Sequence, residues 1–403
     1  MRSLQTESKI KLTAAGFSGV LLAAKPLIAV LTTRRRDLSD YGAVDASAMV
    51  NIVYTFIIMA QCLMELVRER EIPYMKILFA TNLRWFVWFT IWGGVTTLWS
   101  VNPALSGFRT LECAAYFLLI VIVAARLVFQ HGIPVMLGWF MRWYLVADIG
   151  LRAVSMAYRG MGMIDIVTYV SQMTAPVFFY LVLFHEPSHW IRVLIVALTF
   201  LSRATTAYIG VAMGTLGLWF GSKKKKTLAL FLLLAVFMGM LWVGPEAVLK
   251  ETVFRERSGI GLEYSSGRDK LWEFAWENGN RRPWSGYGFF AAEPHLLYDR
   301  GLGAITCHSS FLSALLGTGY FGLMLLSVYI FSYIPLLLGS TIPKTYRSAL
   351  MGSYAVALLQ CLGNPGIGSR VYGSWMSVTI LFAMISVIGF YNRHKIVITH
   401  KEQ

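Results

Sequence analysis

Apolar runs of about 18 residues or more recur along the whole of this 403-residue chain, and each is long enough to cross a hydrocarbon core ~30 Å thick. A continuous run in that setting satisfies its own backbone groups as a helix. The sequence therefore predicts an all-α polytopic membrane protein. Charged residues make up 14% of the chain, against roughly 25% in soluble domains, and the mean hydropathy is +0.58. A soluble enzyme or a nucleic-acid-binding domain is excluded on those grounds. The 13 Trp and 19 Tyr suit interfacial belts on many spans. The polar start Met1–Lys11 is not followed by a small-residue cleavage site, which predicts an uncleaved first span rather than a signal peptide.

Charged and Pro/Gly-rich breaks divide the runs into about twelve spans. They lie near 12–31, 47–66, 77–98, 111–128, 133–151, 166–184, 190–202, 205–220, 227–245, 309–337, 347–362 and 374–391. The seventh and eighth share the join Ser202–Thr206. Four consecutive lysines, Lys223–Lys226, fill one tight turn, and the positive-inside rule keeps that turn cytoplasmic. Counting outward from it, the N-terminus, the Arg68/Arg70/Lys76 turn, the Lys344/Arg347 turn and the basic tail with Arg393, Lys395 and Lys401 are inside as well. Arg34-Arg35-Arg36 runs against this count. Either the first span is re-entrant or those arginines meet an anionic partner outside.

The chain then divides into residues 1–245 with nine spans, an external loop 246–308, and residues 309–403 with three spans and a cytoplasmic tail. A loop this long in a compact protein is usually functional or disordered. Trp272, Phe274, Trp276, Trp284, Tyr287, Phe289 and Phe290 argue for order. A short helix is expected over Asp269–Glu277, and Ser285-Gly286-Tyr287-Gly288 reads as a glycine-permitted turn. No internal repeat or pair of interrupted helices stands out, as it would in an inverted-repeat transporter.

Arg203, Arg268 and His308 fall on the outer side of this scheme. Singly, each has an ordinary explanation, because a cation where a helix meets the interface snorkels. Together they supply two guanidinium forks suited to phosphate oxygens and an imidazole that exchanges protons near neutral pH. Attack of a hydroxyl on a sugar diphosphate needs those parts, because charge grows on the phosphates as the bond breaks. No external Asp-x-Asp, His-x-x-x-His or cysteine pair offers a metal site. Cys62, Cys113, Cys307 and Cys361 show no paired spacing, so no disulfide framework is expected. Cys307 reads as a packing residue, with a free thiol as the alternative. Gly-x-Ser-x-Gly is missing, and Ser309-Ser310 reads as a helix start rather than a nucleophile.

Several blocks resemble one family. They are Ser266-Gly267-Arg268-Asp269-Lys270-Leu271-Trp272, then Arg282-Pro283-Trp284-Ser285-Gly286-Tyr287-Gly288, then His308-Ser309-Ser310-Phe311-Leu312 with Gly317-Thr318-Gly319-Tyr320-Phe321-Gly322-Leu323. Trp99-Ser100-Val101-Asn102-Pro103 and Leu201-Ser202-Arg203-Ala204-Thr205 add to them. In this order they resemble the signature of the O-antigen ligase and polysaccharide polymerase superfamily. The chain departs at Ser309, where many members carry asparagine, and at Ala204, which separates Arg203 from Thr205.

The resemblance implies a GT-C-like fold in the bacterial inner membrane, with the active site facing the periplasm. It implies an inverting glycosyltransferase that needs neither metal nor cofactor. Its donor is an undecaprenyl-diphosphate-linked glycan, and its acceptor is a second lipid-linked glycan or lipid A–core. A chain-length regulator is the protein partner it suggests; no nucleic acid is involved. Arg203 and Arg268 would bind the diphosphate, and His308 would activate the acceptor hydroxyl. Arg109, Trp272, Tyr287 and Asn364 would line the substrate site. Among family activities the SGR-x-x-x-W and WS-x-x-P blocks lean towards a polymerase, with O-antigen ligase the alternative. Outside the family a transporter or flippase competes, because Lys25, Arg84, Arg142 and Asp148 are candidate intramembrane charges. Arg142 and Asp148 stand six apart, off one helical face, and Lys25 and Arg84 could snorkel from span ends. A transporter leaves the ordered outer loop unexplained.

Overall fold

The computed structural model describes residues 16–28, 46–159, 175–200, 210–216, 218, 268–299, 306–363, 366–367, 371 and 374–401. All regular structure among them is helical. Among the described residues four helices are long and apolar enough to cross a membrane: Ala48–Arg68, Pro103–His131, Ser310–Leu338 and Trp375–His394. The expected span at 227–245, the Lys223–Lys226 turn and Arg34–Arg36 lie outside the described residues.

Helix Pro103–His131 is the axis of the molecule. Asn102 opens it in extended geometry, its side-chain oxygen accepting from Leu105 N–H at 3.0 Å, with Pro103 at the first helical position. Gly132, at φ +86°, ends it. Of its most apolar window 83% is buried, and of Trp375–His394 89%, against 28% for Ala48–Arg68. The first two therefore fill the centre and the third faces outward. Phe117 meets Phe86 from helix Leu83–Val95 at 4.7 Å, and Phe86 meets Tyr329 at 5.0 Å.

Polar side chains are sewn through this core in pairs. Arg126 reaches Glu65 at 2.5 Å and Glu69 at 3.7 Å, and Gln130 donates to Glu69 at 2.7 Å. Nearer the other end, Glu112 accepts from Lys25 on one oxygen and from Arg109, at 2.7 Å, on the other. Lys25 is thus a buried ion-pair residue rather than a snorkelling one. Arg142 lies 3.4 Å from Glu186, just past the end of helix Ala175–His185, so a partner from another segment takes the place that Asp148 could not fill. Arg84 is exposed, its guanidinium 5.0 Å over the Trp85 ring.

Two expected spans are interrupted. The run at 77–98 forms helices Tyr74–Ala80 and Leu83–Val95 with a 3-10 turn at Thr96–Trp99. The run at 309–337 kinks at Gly319 and breaks at Ser332 before helix Tyr333–Leu338. The two breaks face each other, because Asn82 Nδ2 donates to the Ser332 carbonyl at 2.8 Å. The last helix, Ser374–Lys401, carries the basic tail as a continuation of itself.

Candidate active site

The two glycines of Ser285-Gly286-Tyr287-Gly288 take φ +62° and +106°, values that favour glycine. The turn they make lies against the kink of helix Ser310–Phe331. Gly319 leaves helical geometry at φ +68°, which turns Tyr320 N–H away from its own helix and onto the Pro283 carbonyl at 2.6 Å. The freed carbonyls of Leu316 and Gly317 accept from Tyr287 and Gly288, each at 2.9 Å. A Cβ on Gly286 would stand 2.6 Å from the Gly317 carbonyl carbon, and one on Gly319 would stand 2.6 Å from that of Trp284. The segment after Leu83–Val95 closes the other side. Trp99 Nε1 donates to Ser285 O, Val101 N–H to Tyr287 O and Ser106 Oγ to Phe289 O, all at 2.9 Å. Three blocks far apart in sequence are thus locked backbone to backbone.

A small second core of Leu271, Ala275, Ala292, Leu297, Cys307 and Leu316 lies under the loop. The expected loop helix spans Arg268–Arg281 and buries Leu271 and Ala275 while exposing Trp276. Its Trp272 Nε1 donates to the Cys307 carbonyl at 2.9 Å. His308 follows at φ +53° and is half-buried, its N–H on Thr306 Oγ1 at 3.3 Å. Holding a non-glycine residue there costs on the order of 1–3 kcal/mol, and such strain gathers at functional sites. Ser309 is extended and the helix begins at Ser310, as the sequence predicts, but Ser309 makes no side-chain cap. Ser310 Oγ instead accepts from Gly366 N–H at 3.1 Å.

Glu293, which the sequence reading missed, organises this corner. It lies in helix Ala292–Asp299 and is buried. One carboxyl oxygen accepts from Cys307 N–H at 2.8 Å, Thr306 Oγ1 at 3.3 Å and Ser313 Oγ at 2.5 Å. The other oxygen is buried without a partner. Burial pushes its pKa above the ordinary carboxylate value, and its hydrogen bonds to Cys307, Ser313 and Thr306 oppose that without overcoming it. The signal was an acid in the apolar stretch Phe289-Phe290-Ala291-Ala292-Glu293-Pro294. Burial, and then Glu293 beside it, push the Cys307 thiol well up, so Cys307 is a packing residue.

The expected site residues divide as follows. Trp272 touches the residue before His308. Residue 268 opens the same helix one turn earlier, so positions 268 and 272 share a helix side. Tyr287 enters the interlock through its backbone, with Arg282 4.7 Å over its ring. Arg109 is not brought to His308 by the described contacts: it pairs with Glu112 and lies 5.1 Å over the Phe290 ring. Arg203 and Asn364 lie outside the described residues, although Gly366 sets the last connection against Ser310. No three His, Cys, Asp or Glu side chains gather among the described residues.

Residues 190–327 match the O-antigen ligase family. Over that stretch, about a third of its length, the chain is similar to that family. The family segment contains positions 203, 268, 272, 287, 293 and 308, and ends beyond the Gly319 kink. No curated protein matches the chain.

Proposed function

We propose that the chain is a polysaccharide polymerase of the bacterial inner membrane, an inverting glycosyltransferase that works without a metal ion. Its donor is a glycan on undecaprenyl diphosphate and its acceptor is a hydroxyl of another lipid-linked glycan. The observation that carries the reading is the match of residues 190–327 to the O-antigen ligase family, within which Trp272 and Glu293 bond the residue before a strained His308. In this reading about twelve GT-C-like spans cross the membrane, nine in residues 1–245 and three in 309–403. Residues 246–308 form the periplasmic catalytic loop, the tail is cytoplasmic, and a chain-length regulator is the expected protein partner. Arg203 and Arg268 hold the diphosphate. His308 takes the proton of the acceptor hydroxyl as its oxygen bonds to the anomeric carbon from the face opposite the phosphate. The sugar–phosphate bond breaks, and undecaprenyl diphosphate leaves with the electron pair.

A ligase reading, with lipid A–core as acceptor, is favoured by the name of the matching family. The two differ in acceptor alone, so purified chain offered each acceptor separately distinguishes them. The shared chemistry is tested with variants in single-turnover transfer. Arg268→Lys keeps the charge but loses the planar fork, and should lose most donor binding and most activity. His308→Ala should lower turnover by about 10²–10⁴-fold with donor binding nearly unchanged. Transfer at the wild-type rate by His308→Ala would leave the mechanism without a base. Activity should survive excess EDTA; its loss, with rescue by Mg²⁺ or Mn²⁺, would replace the arginine mechanism.

A further inference from the structure

We infer that Glu293 is the positioning residue of the site, fixing His308 for proton transfer through the hydrogen bonds its carboxyl oxygen accepts on both sides of His308. This rests on the reading of His308 given above. His308 stands in a left-handed conformation that a non-glycine residue leaves unless its neighbours hold it. The holding bonds converge on one atom. Glu293 Oε1 takes the N–H of Cys307 immediately before His308, the hydroxyl of Thr306 two residues before, and the hydroxyl of Ser313 in the first turn after. Thr306 Oγ1 in turn accepts the His308 N–H, and Ser313 Oγ also donates to the Ser309 carbonyl at 2.8 Å. Both flanks of His308 therefore lead back to Glu293. Trp272 Nε1 holds the Cys307 carbonyl, so Cys307 is clamped at its carbonyl by the helix that Arg268 opens and at its N–H by Glu293. The imidazole and position 268 are referred to the same two anchors.

The second oxygen marks this carboxyl as more than a cap. It is buried without a hydrogen-bond partner, a setting that disfavours a charge. A glutamine preserves the shape and the accepting oxygen. An alanine strands three donors and releases the turn. Displacing a reacting group by about 1 Å costs on the order of 10²-fold in rate.

The experiment compares full-length wild type, Glu293→Gln, Glu293→Ala, Ser313→Ala and His308→Ala in detergent. The probe is the undecaprenyl-diphosphate oligosaccharide isolated from cells lacking the chain, and kcat, donor KM and thermal stability are read for each variant. The expected result for Glu293→Ala is a fall in kcat of order 10²-fold with donor KM within about threefold, and for Glu293→Gln recovery to within about tenfold of wild type. Ser313→Ala, which keeps the fold should Glu293→Ala fail to fold, should lower kcat by roughly three- to tenfold. A wild-type kcat in folded Glu293→Ala or in Ser313→Ala overturns the inference. So does Glu293→Gln as inactive as Glu293→Ala, because a charge rather than an acceptor would then be required. If His308→Ala is inactive while Glu293→Ala is normal, the positioning role alone falls; if His308→Ala is fully active, the catalytic reading falls with it.

Discussion

At Gly286 and Gly319 the missing side chain is what lets two backbones meet. Alanine at 319 would have to hold φ +68°, which costs about 1–2 kcal/mol, with its Cβ 2.6 Å from Trp284 backbone, which adds about 1–3 kcal/mol of overpacking. Gly319→Ala should therefore lose about 2–5 kcal/mol. Gly138→Ala, where a Cβ meets nothing within 4 Å in helix Ile133–Arg159, should lose nothing. Thermal unfolding in detergent checks the pair, and equal Tm values for the two would mean that the interlock is loose. Glu293 makes a second prediction. Its carboxyl pKa is raised by burial, so the folded chain binds that proton more tightly than the unfolded chain. The stability this contributes is complete below about pH 4.3 and is lost as pH rises through the folded value. Glu293→Gln should flatten the decline of Tm above that pH. Parallel wild-type and variant curves would mean that Glu293 is ionised in the fold.

Between helices, the Arg126–Glu65 pair shows what the apolar spans conceal. Both side chains are about 2–3% exposed, and removing one partner strands the other, a loss of about 3–5 kcal/mol. Arg126→Leu should lose that much, and Arg126→Leu with Glu65→Leu should regain most of it in a double-mutant cycle. Additive losses would mean that Glu69 and Gln130 hold each residue separately. This pair also marks where the sequence stops being readable. The loop helix and the glycine turn are local signals, and they are found where polarity and φ requirements predict. The break at Thr81–Asn82 carries no proline or glycine and is held by the Asn82–Ser332 hydrogen bond, a contact that exists only once the chain is folded. The break at Ser332, by contrast, precedes Pro335, which cannot donate to the Phe331 carbonyl. Arg126, Glu65 and Glu112 look like span-end charges until packing pairs them. At the site, the glycines and His308 are visible as motif residues. Glu293 is not, since a lone acid in a polar loop reads as solvated until Thr306–Ser313 folds over it.

Across the whole molecule, the packing separates the basic turns from His308. Segment 96–106 is bonded to 285–289, and 287–288 to 316–317, so helices Pro103–His131 and Ser310–Phe331 start together at the site and run away from it in parallel. Glu65 and Glu69 meet Arg126 and Gln130 near the far end of helix Pro103–His131, which takes the Arg68/Arg70/Lys76 turn to that end. The break at Ser332, held by Asn82, takes the chain towards Lys344 and Arg347 on the same side. Basic turns stay cytoplasmic, so this separation supports a periplasmic His308. The four native cysteines are buried and can be replaced by alanine to give a silent background. Single cysteines at Arg203, Arg268 and His308 should then react with a membrane-impermeant thiol reagent added to intact spheroplasts. A cysteine at Lys224 should react only after the membrane is opened. Labelling at Lys224 from outside, with silence at His308, would invert the molecule. The donor diphosphate would then have to be met on the cytoplasmic face, and a polymerase acting on flipped glycans would be the wrong reading.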